Sequence, residues 1–218
     1  MKKFGVIFFS LLASPFLFFN CATWTTRKNI EINEIGTYSQ PLIEPLPLKI
    51  GVYYGNDVRT FETTKKVGPD QFGGIIIANI KMGKANIALF DYILPHVFRE
   101  VILVQHFFEN PEDMKNIDLI IKPTIHKYSY NIPYNISPFE CSIHITYEIS
   151  FYSPDGELIK PWLIEGSGSN VASSSKMSNS DFIELLTQTA MRQVAAKFMT
   201  DFCNQEDIKN LFYSHCKQ

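Results

Sequence analysis

The chain has 218 residues, of which 45% are hydrophobic and 14% aromatic, and its net charge is -2 with a pI near 6.2. That apolar content excludes a disordered tail, and the length suits one domain of ordinary size behind a leader. The net charge and pI show no electrostatic footprint for nucleic acid, so no nucleic-acid partner is expected.

The chain opens with Lys2 and Lys3, continues with an apolar run from Phe4 to Phe19, and reaches Cys21 just beyond it. This is the layout of a signal peptide, here residues 1–20. An uncleaved anchor is the competing reading, but the run contains Pro15 and falls short of the roughly 20 residues that a span needs. Later apolar runs are short or broken by Lys, Asp or Glu, so no membrane span is expected after Cys21.

The segment LFFNCA, Leu17 to Ala22, resembles the lipobox of bacterial lipoproteins, with the leucine four places before the cysteine where three is usual. The resemblance implies cleavage before Cys21 and a diacylglyceryl thioether on it, completed by a further acyl chain such as palmitate. Each buried methylene contributes about 0.8 kcal/mol, and several chains make the anchoring stable. Ala22, where an Asp would imply retention in the inner membrane, points in the resembling proteins to the outer membrane, facing the periplasm.

Residues 21–47 are polar, with Pro41, Pro45 and Pro47 near the end, and read as an extended tether. A single domain is expected over residues 48–218. Leu48 to Tyr54 is β-rich and closed by Gly55-Asn56-Asp57, a strand and its turn. Phe72 to Ile80 is a second strand, with Gly73 and Gly74 marking a bend. Ile87, Phe90, Ile93, Leu94, Val97 and Phe98 recur at helical spacing, and Pro95 predicts a kink or a break into two helices. Val101 to Phe107 and Ile117 to Tyr130 are predicted strands, the latter placing Ile125, Lys127 and Ser129 on one side and His126, Tyr128 and Tyr130 on the other.

Cys141 to Tyr152 alternates cleanly, with Ile143, Ile145, Tyr147, Ile149 and Phe151 on one face. Ser153-Pro154-Asp155-Gly156 turns the chain into a partner strand, Glu157 to Glu165. Gly166 to Ser180 is loop-like in composition. Phe182, Leu186, Ala190, Val194, Phe198 and Phe202 then repeat every fourth residue, a helix capped by Ser178 or Ser180 with a broad apolar face. Strands in succession with two amphipathic helices predict an α+β fold, a two-layer sandwich with a mainly antiparallel sheet.

Few residues suggest chemistry. GxSxG, GxGxxG, GxxxxGK[ST] and HExxH are all absent, and GSGS at Gly166 to Ser169 lacks the strand-turn-helix setting of a nucleophile. His126 and His144 with Glu148 form the one conceivable metal set, but histidines on the outward face of an antiparallel sheet are ordinarily just solvated. No metal, cofactor or enzymatic activity is therefore expected. Beyond Cys21, the cysteines are Cys141, Cys203 and Cys216. The last two are natural disulfide partners in an oxidising compartment, the alternative being three reduced, buried thiols. Tyr128, Tyr130, Tyr134 and Phe139 cluster with Pro133 and Pro138. They read either as an exposed contact surface or as rings folded back onto the core.

Signal, lipobox, tether and one α+β domain together resemble small envelope lipoproteins such as the ABC-type transport auxiliary and curli-secretion-type lipoproteins. The resemblance implies a non-enzymatic accessory or scaffold protein, tethered to the membrane at Cys21, whose partner is an envelope transport or assembly complex. A carrier holding lipid or another apolar ligand between sheet and helices is the alternative. The sequence does not indicate an oligomeric state.

Overall fold

The computed structural model describes residues 25–33, 44–69, 74–108, 114, 116–131, 139–172 and 179–212. In chain order the strands are β1 (Thr25–Glu31), β2 (Leu46–Val52), β3 (Glu62–Pro69), β4 (Ile75–Lys81), β5 (Phe98–Leu103), β6 (Leu119–Asn131), β7 (Phe139–Tyr152) and β8 (Leu158–Ala172). The helices are α1 (Asn56–Arg59), α2 (Gly83–Val97), α3 (Asn179–Asp201) and α4 (Glu206–Leu211), with a 3₁₀ turn at Phe202–Asn204. The fold is α+β. Its strands form two mixed sheets rather than one, a three-stranded sheet in the order β1-β4-β3 and a five-stranded sheet in the order β5-β2-β6-β7-β8.

Most paired residues are antiparallel, through β3–β4, β6–β7 and β7–β8, but β1–β4, β2–β5 and β2–β6 run parallel. The parallel pairs were not foreseen because the strands that meet are far apart in sequence. β2 and β5 are joined through β3, β4 and α2, a connection long enough for the crossover that parallel pairing demands.

Several elements depart from the sequence reading. The segment expected to be wholly tether contains β1, of which only Ile30 is buried. An edge strand exposed on both faces shows no period of two, so its polar residues resemble linker. β3, rich in Thr and Lys, was hidden in the same way. The Pro95 kink does not divide α2, because the helix ends at Val97 and the proline sits in its last turn. The donor it lacks faces the carbonyl of Asp91, an exposed residue that water can serve. β5 then begins at Phe98, earlier than expected. β8 continues through GSGSNVA to Ala172 where a loop was expected. Ser180 lies inside α3, and Ser178 is outside the described residues.

One face of the β6-β7-β8 region packs against α2 and α3. Ile143, Ile145, Tyr147, Ile149 and Phe151 of β7 are all fully buried there, beneath Leu186, Ala190, Val194 and Phe198 of α3. Gly166 and Gly168 let the helix backbone approach the strand. A Cβ added at Gly166 would lie 2.0 Å from the Ala190 carbonyl oxygen, and one at Gly168 would lie 2.1 Å from that of Leu186. At the far end of α3, Phe202 packs edge-on against Phe98 with centroids 4.9 Å apart and lies 5.8 Å from both Phe151 and Phe198. Phe202→Ala is expected to destabilise the fold by about 3–5 kcal/mol, the usual cost of deleting a buried ring, as read from urea unfolding. No helix among the described residues is long and apolar enough to cross a membrane.

Two buried phenols tie these layers to pH. Tyr54 donates to Asp91 Oδ1 at 2.6 Å, and burial, followed by that bond, pushes its pKa above the usual 10.0. Burial likewise raises that of Tyr128. Because the folded values exceed the unfolded ones, this contribution is complete below about pH 10 and is lost as the pH rises through the raised values. Alkaline unfolding monitored by circular dichroism should therefore begin above about pH 10 and shift upward in Tyr54→Phe.

Cys203 is disulfide-bonded, and its partner lies outside the described residues, as do Cys21 and Cys216. Cys141 is a free, buried thiol whose pKa burial raises.

Candidate functional site

The opposite face of β6-β7-β8 carries the candidate site. Alternation along β7 that buries its isoleucines on one side must put Ser142, His144, Thr146, Glu148 and Ser150 on the other. The strand pairing aligns these with β6 and β8 in rows: Lys122–Ser150–Pro161, Thr124–Glu148–Leu163, Lys127–Thr146–Glu165 and Ser129–His144–Ser167. A small apolar cluster of Val104, Met114, Ile117 and Ile120, flanked by Tyr53, Phe107, Phe108 and Tyr152, covers one end of this face. Beyond Lys122, whose ammonium lies 5.2 Å from the centre of the Phe107 ring, the rows are polar and lead to a groove.

That groove, about 370 Å³, is lined by Lys127, Ser129, His144, Thr146, Glu165 and Ser167, with Gln193 and Lys197 of α3 along its side. Both α3 side chains also bond β8, the outermost strand of its sheet. Gln193 Oε1 accepts from the Ser167 backbone N–H at 2.6 Å and from its hydroxyl at 3.0 Å, and Lys197 Nζ donates to the Glu165 carbonyl at 2.7 Å. Two lysines, one glutamate, several hydroxyls and an amide thus line the same groove. Such a lining suits hydrogen bonding to a polar surface. His144 makes no hydrogen bond with the serines on either side of it, and the Ser167 hydroxyl is committed to Gln193.

The histidines are not brought together. A bulge between Ile125 and Lys127 breaks the β6 alternation, so Ile125 shares the buried side with Tyr128 and Tyr130 while Lys127 and Ser129 take the groove side. This overturns the expected sidedness of that strand: one extra residue reverses every position beyond it. The exposed His126 has Nδ1 3.9 Å from Glu148 Oε2. His144 stands four residues from Glu148 on the same strand, about 13 Å away at the usual rise. Among the described residues no group of His, Cys, Asp or Glu is placed to hold a metal.

The tyrosines turn inward. Tyr128 is 7% exposed, with its hydroxyl 3.0 Å from Thr187 Oγ1. Thr187 spends its own proton on the Ile183 carbonyl at 2.7 Å, so Tyr128 is the donor. Tyr130 packs partly buried against the core and donates to the Lys66 carbonyl. Tyr128 is therefore a core residue, not part of an exposed contact surface. Tyr134 and the Phe139 side chain lie outside what is described. Tyr128→Phe should lower stability by about 1 kcal/mol, measured by denaturant midpoint, because it leaves one buried acceptor short of a donor.

The groove itself was missed from sequence because Gly166 to Ser169 read as a loop. The available signal was the glycine spacing of two, which fits a strand whose inward positions must stay bare.

No family model and no curated protein matches the chain. Among solved structures it is similar to a putative neuraminyllactose-binding hemagglutinin homolog from Helicobacter pylori, at TM-score 0.44 and 12% identity over 82% of this chain and 97% of that one. It is similar also to the hypothetical protein CT253 from Chlamydia trachomatis, at TM-score 0.40 and 10% identity over 72% and 99%. The lipoprotein GNA1162 from Neisseria meningitidis matches at TM-score 0.31 and 10% identity over 63% and 92%.

Proposed function

We propose that this protein is a non-enzymatic envelope lipoprotein, held at the outer membrane by acylated Cys21, that docks through the open face of β6-β7-β8 onto a protein of a transport or assembly complex. The observation that supports this reading is the asymmetry of that sheet. One face is sealed by α2 and α3, while the other presents an open polar groove beside Leu163, which is 51% exposed. Polar rims around an apolar contact are the usual make-up of a protein interface. The carrier reading fares less well, since the near contact of β8 with the α3 backbone at Gly166 and Gly168 leaves no room there for an acyl chain.

Photo-crosslinking in native envelopes tests the proposal, with a reactive side chain in place of Ser129 in the full-length protein. A single defined envelope protein should be captured, and Lys127→Glu, which puts a second carboxylate beside Glu165, should reduce that capture about tenfold or more. Capture of lipid alone would favour the carrier, and equal capture by Lys127→Glu would remove the groove from the interface. Intact mass must show acyl chains on Cys21.

A further inference from the structure

β1 begins at Thr25, only four residues after Cys21. Four extended residues reach at most about 14 Å, so an acylated Cys21 holds the start of β1 beside the lipid headgroups. The charges of the β1-β4-β3 sheet are sorted along its length. Counting from the Cys21 end, the rows run Thr25–Ile75–Pro69, then Arg27–Ile77–Lys66, then Lys28–Ala78–Lys65, and close on Glu31–Lys81–Glu62. The near half of the sheet carries cations alone, and both of its carboxylates lie in the farthest row. Arg27 and Lys28 are exposed. Among the described residues Arg27, Lys28 and Lys65 have no carboxylate partner, whereas Glu31 is bonded to Lys84 at 2.7 Å, which holds its pKa below the usual carboxylate range.

We propose that the Cys21-proximal end of the β1-β4-β3 sheet is a membrane-contacting surface, on which Arg27, Lys28 and Lys65 bind the phosphates of anionic phospholipids in the leaflet that holds the anchor. The proposal rests on the anchor reading above. It follows from where the chain upstream of β1 ends and from the match between unneutralised cations and a negatively charged surface. The sheet then serves as a foot, and its acidic far row points away from the bilayer.

The test uses full-length acylated protein in nanodiscs of phosphatidylcholine, either alone or mixed two to one with phosphatidylglycerol. Photo-reactive benzoylphenylalanine replaces Thr26 in the near half or, as a control, Glu62 in the far row, and adducts are identified by mass. A phosphatidylglycerol adduct is expected at position 26, about tenfold or more above position 62, weakening at high salt. The triple change Arg27→Gln, Lys28→Gln and Lys65→Gln should cut it by at least about tenfold, since each cation near an anionic surface is worth about fivefold. Lys81→Gln should leave it unchanged, and matched melting curves show that the triple variant is folded. Equal adducts at both positions, or adducts indifferent to phosphatidylglycerol, would overturn the proposal while leaving the anchor intact. An intact mass without acyl chains on Cys21 would instead overturn the anchor reading, and this proposal with it.

Discussion

Gly166→Ala should lower the melting temperature by roughly 10 °C, with a loss near 3 kcal/mol. The added Cβ meets the Ala190 carbonyl oxygen at 2.0 Å, the Ala190 carbonyl carbon at 2.9 Å and Val194 Cγ2 at 2.7 Å. Two of these atoms belong to the helix backbone, so no rotamer change relieves the contact, and α3 must move away from β8 as a body. Such a movement opens the buried layer between Leu186, Val194 and Phe198 on the helix and Ile143 to Phe151 on β7. Gly168→Ala acts one turn earlier against Leu186 and should have the same sign. A discriminating control is Gly166→Ala combined with Val194→Ala. If the clash is with backbone, trimming the valine fails to restore stability; recovery in the double variant would show that the strand and helix are not in backbone contact.

Asn86→Ala should destabilise by about 3 kcal/mol, more than Tyr147→Phe, which should cost about 1–2 kcal/mol. Asn86 is fully buried in α2 and joins three elements. Its Oδ1 accepts from the Tyr147 hydroxyl of β7 at 2.6 Å, and its Nδ2 donates to the Val58 carbonyl of α1 at 3.1 Å. Alanine removes both of these bonds from a fully buried site, next to which the Tyr147 ring lies edge-on to Phe90 with centroids 5.4 Å apart. Phenylalanine at position 147 keeps that ring contact and orphans only the amide oxygen. A double-mutant cycle in urea should give a coupling near 1 kcal/mol; strictly additive losses would mean that the hydrogen bond contributes nothing to stability.

Local periodicity carried the sequence reading wherever one face of an element is buried and the other is wet. β7 and α3 are such elements, and their apolar rows were legible to within a residue or two. Where that contrast vanishes, so did the signal. β1 and β3 lie in a small sheet with exposed, charged positions on both sides, and nothing in TTRKNIE distinguishes an edge strand from a linker until β4 supplies the partner. The β6 bulge is invisible for a different reason: an extra residue in one strand is defined only against its neighbour, so the sides assigned to His126, Tyr128 and Lys127 could not be settled from one strand alone. The groove required both failures to be corrected at once, since it needs Lys127 turned outward by the bulge and Ser167 held in a strand by the glycines.

Gln193 and Lys197 bear on how densely copies of this chain can be crowded. They occupy the Ser167 N–H and the Glu165 carbonyl on the outer margin of β8. Pro161, at the same parity on that strand, has no N–H to offer. A neighbouring copy seeking to anneal there strand to strand would find these two groups already bonded by the helix's side chains and, four residues from Glu165, a gap in the ladder at Pro161. Fibril growth from this margin is thereby suppressed by intramolecular bonds rather than by dilution.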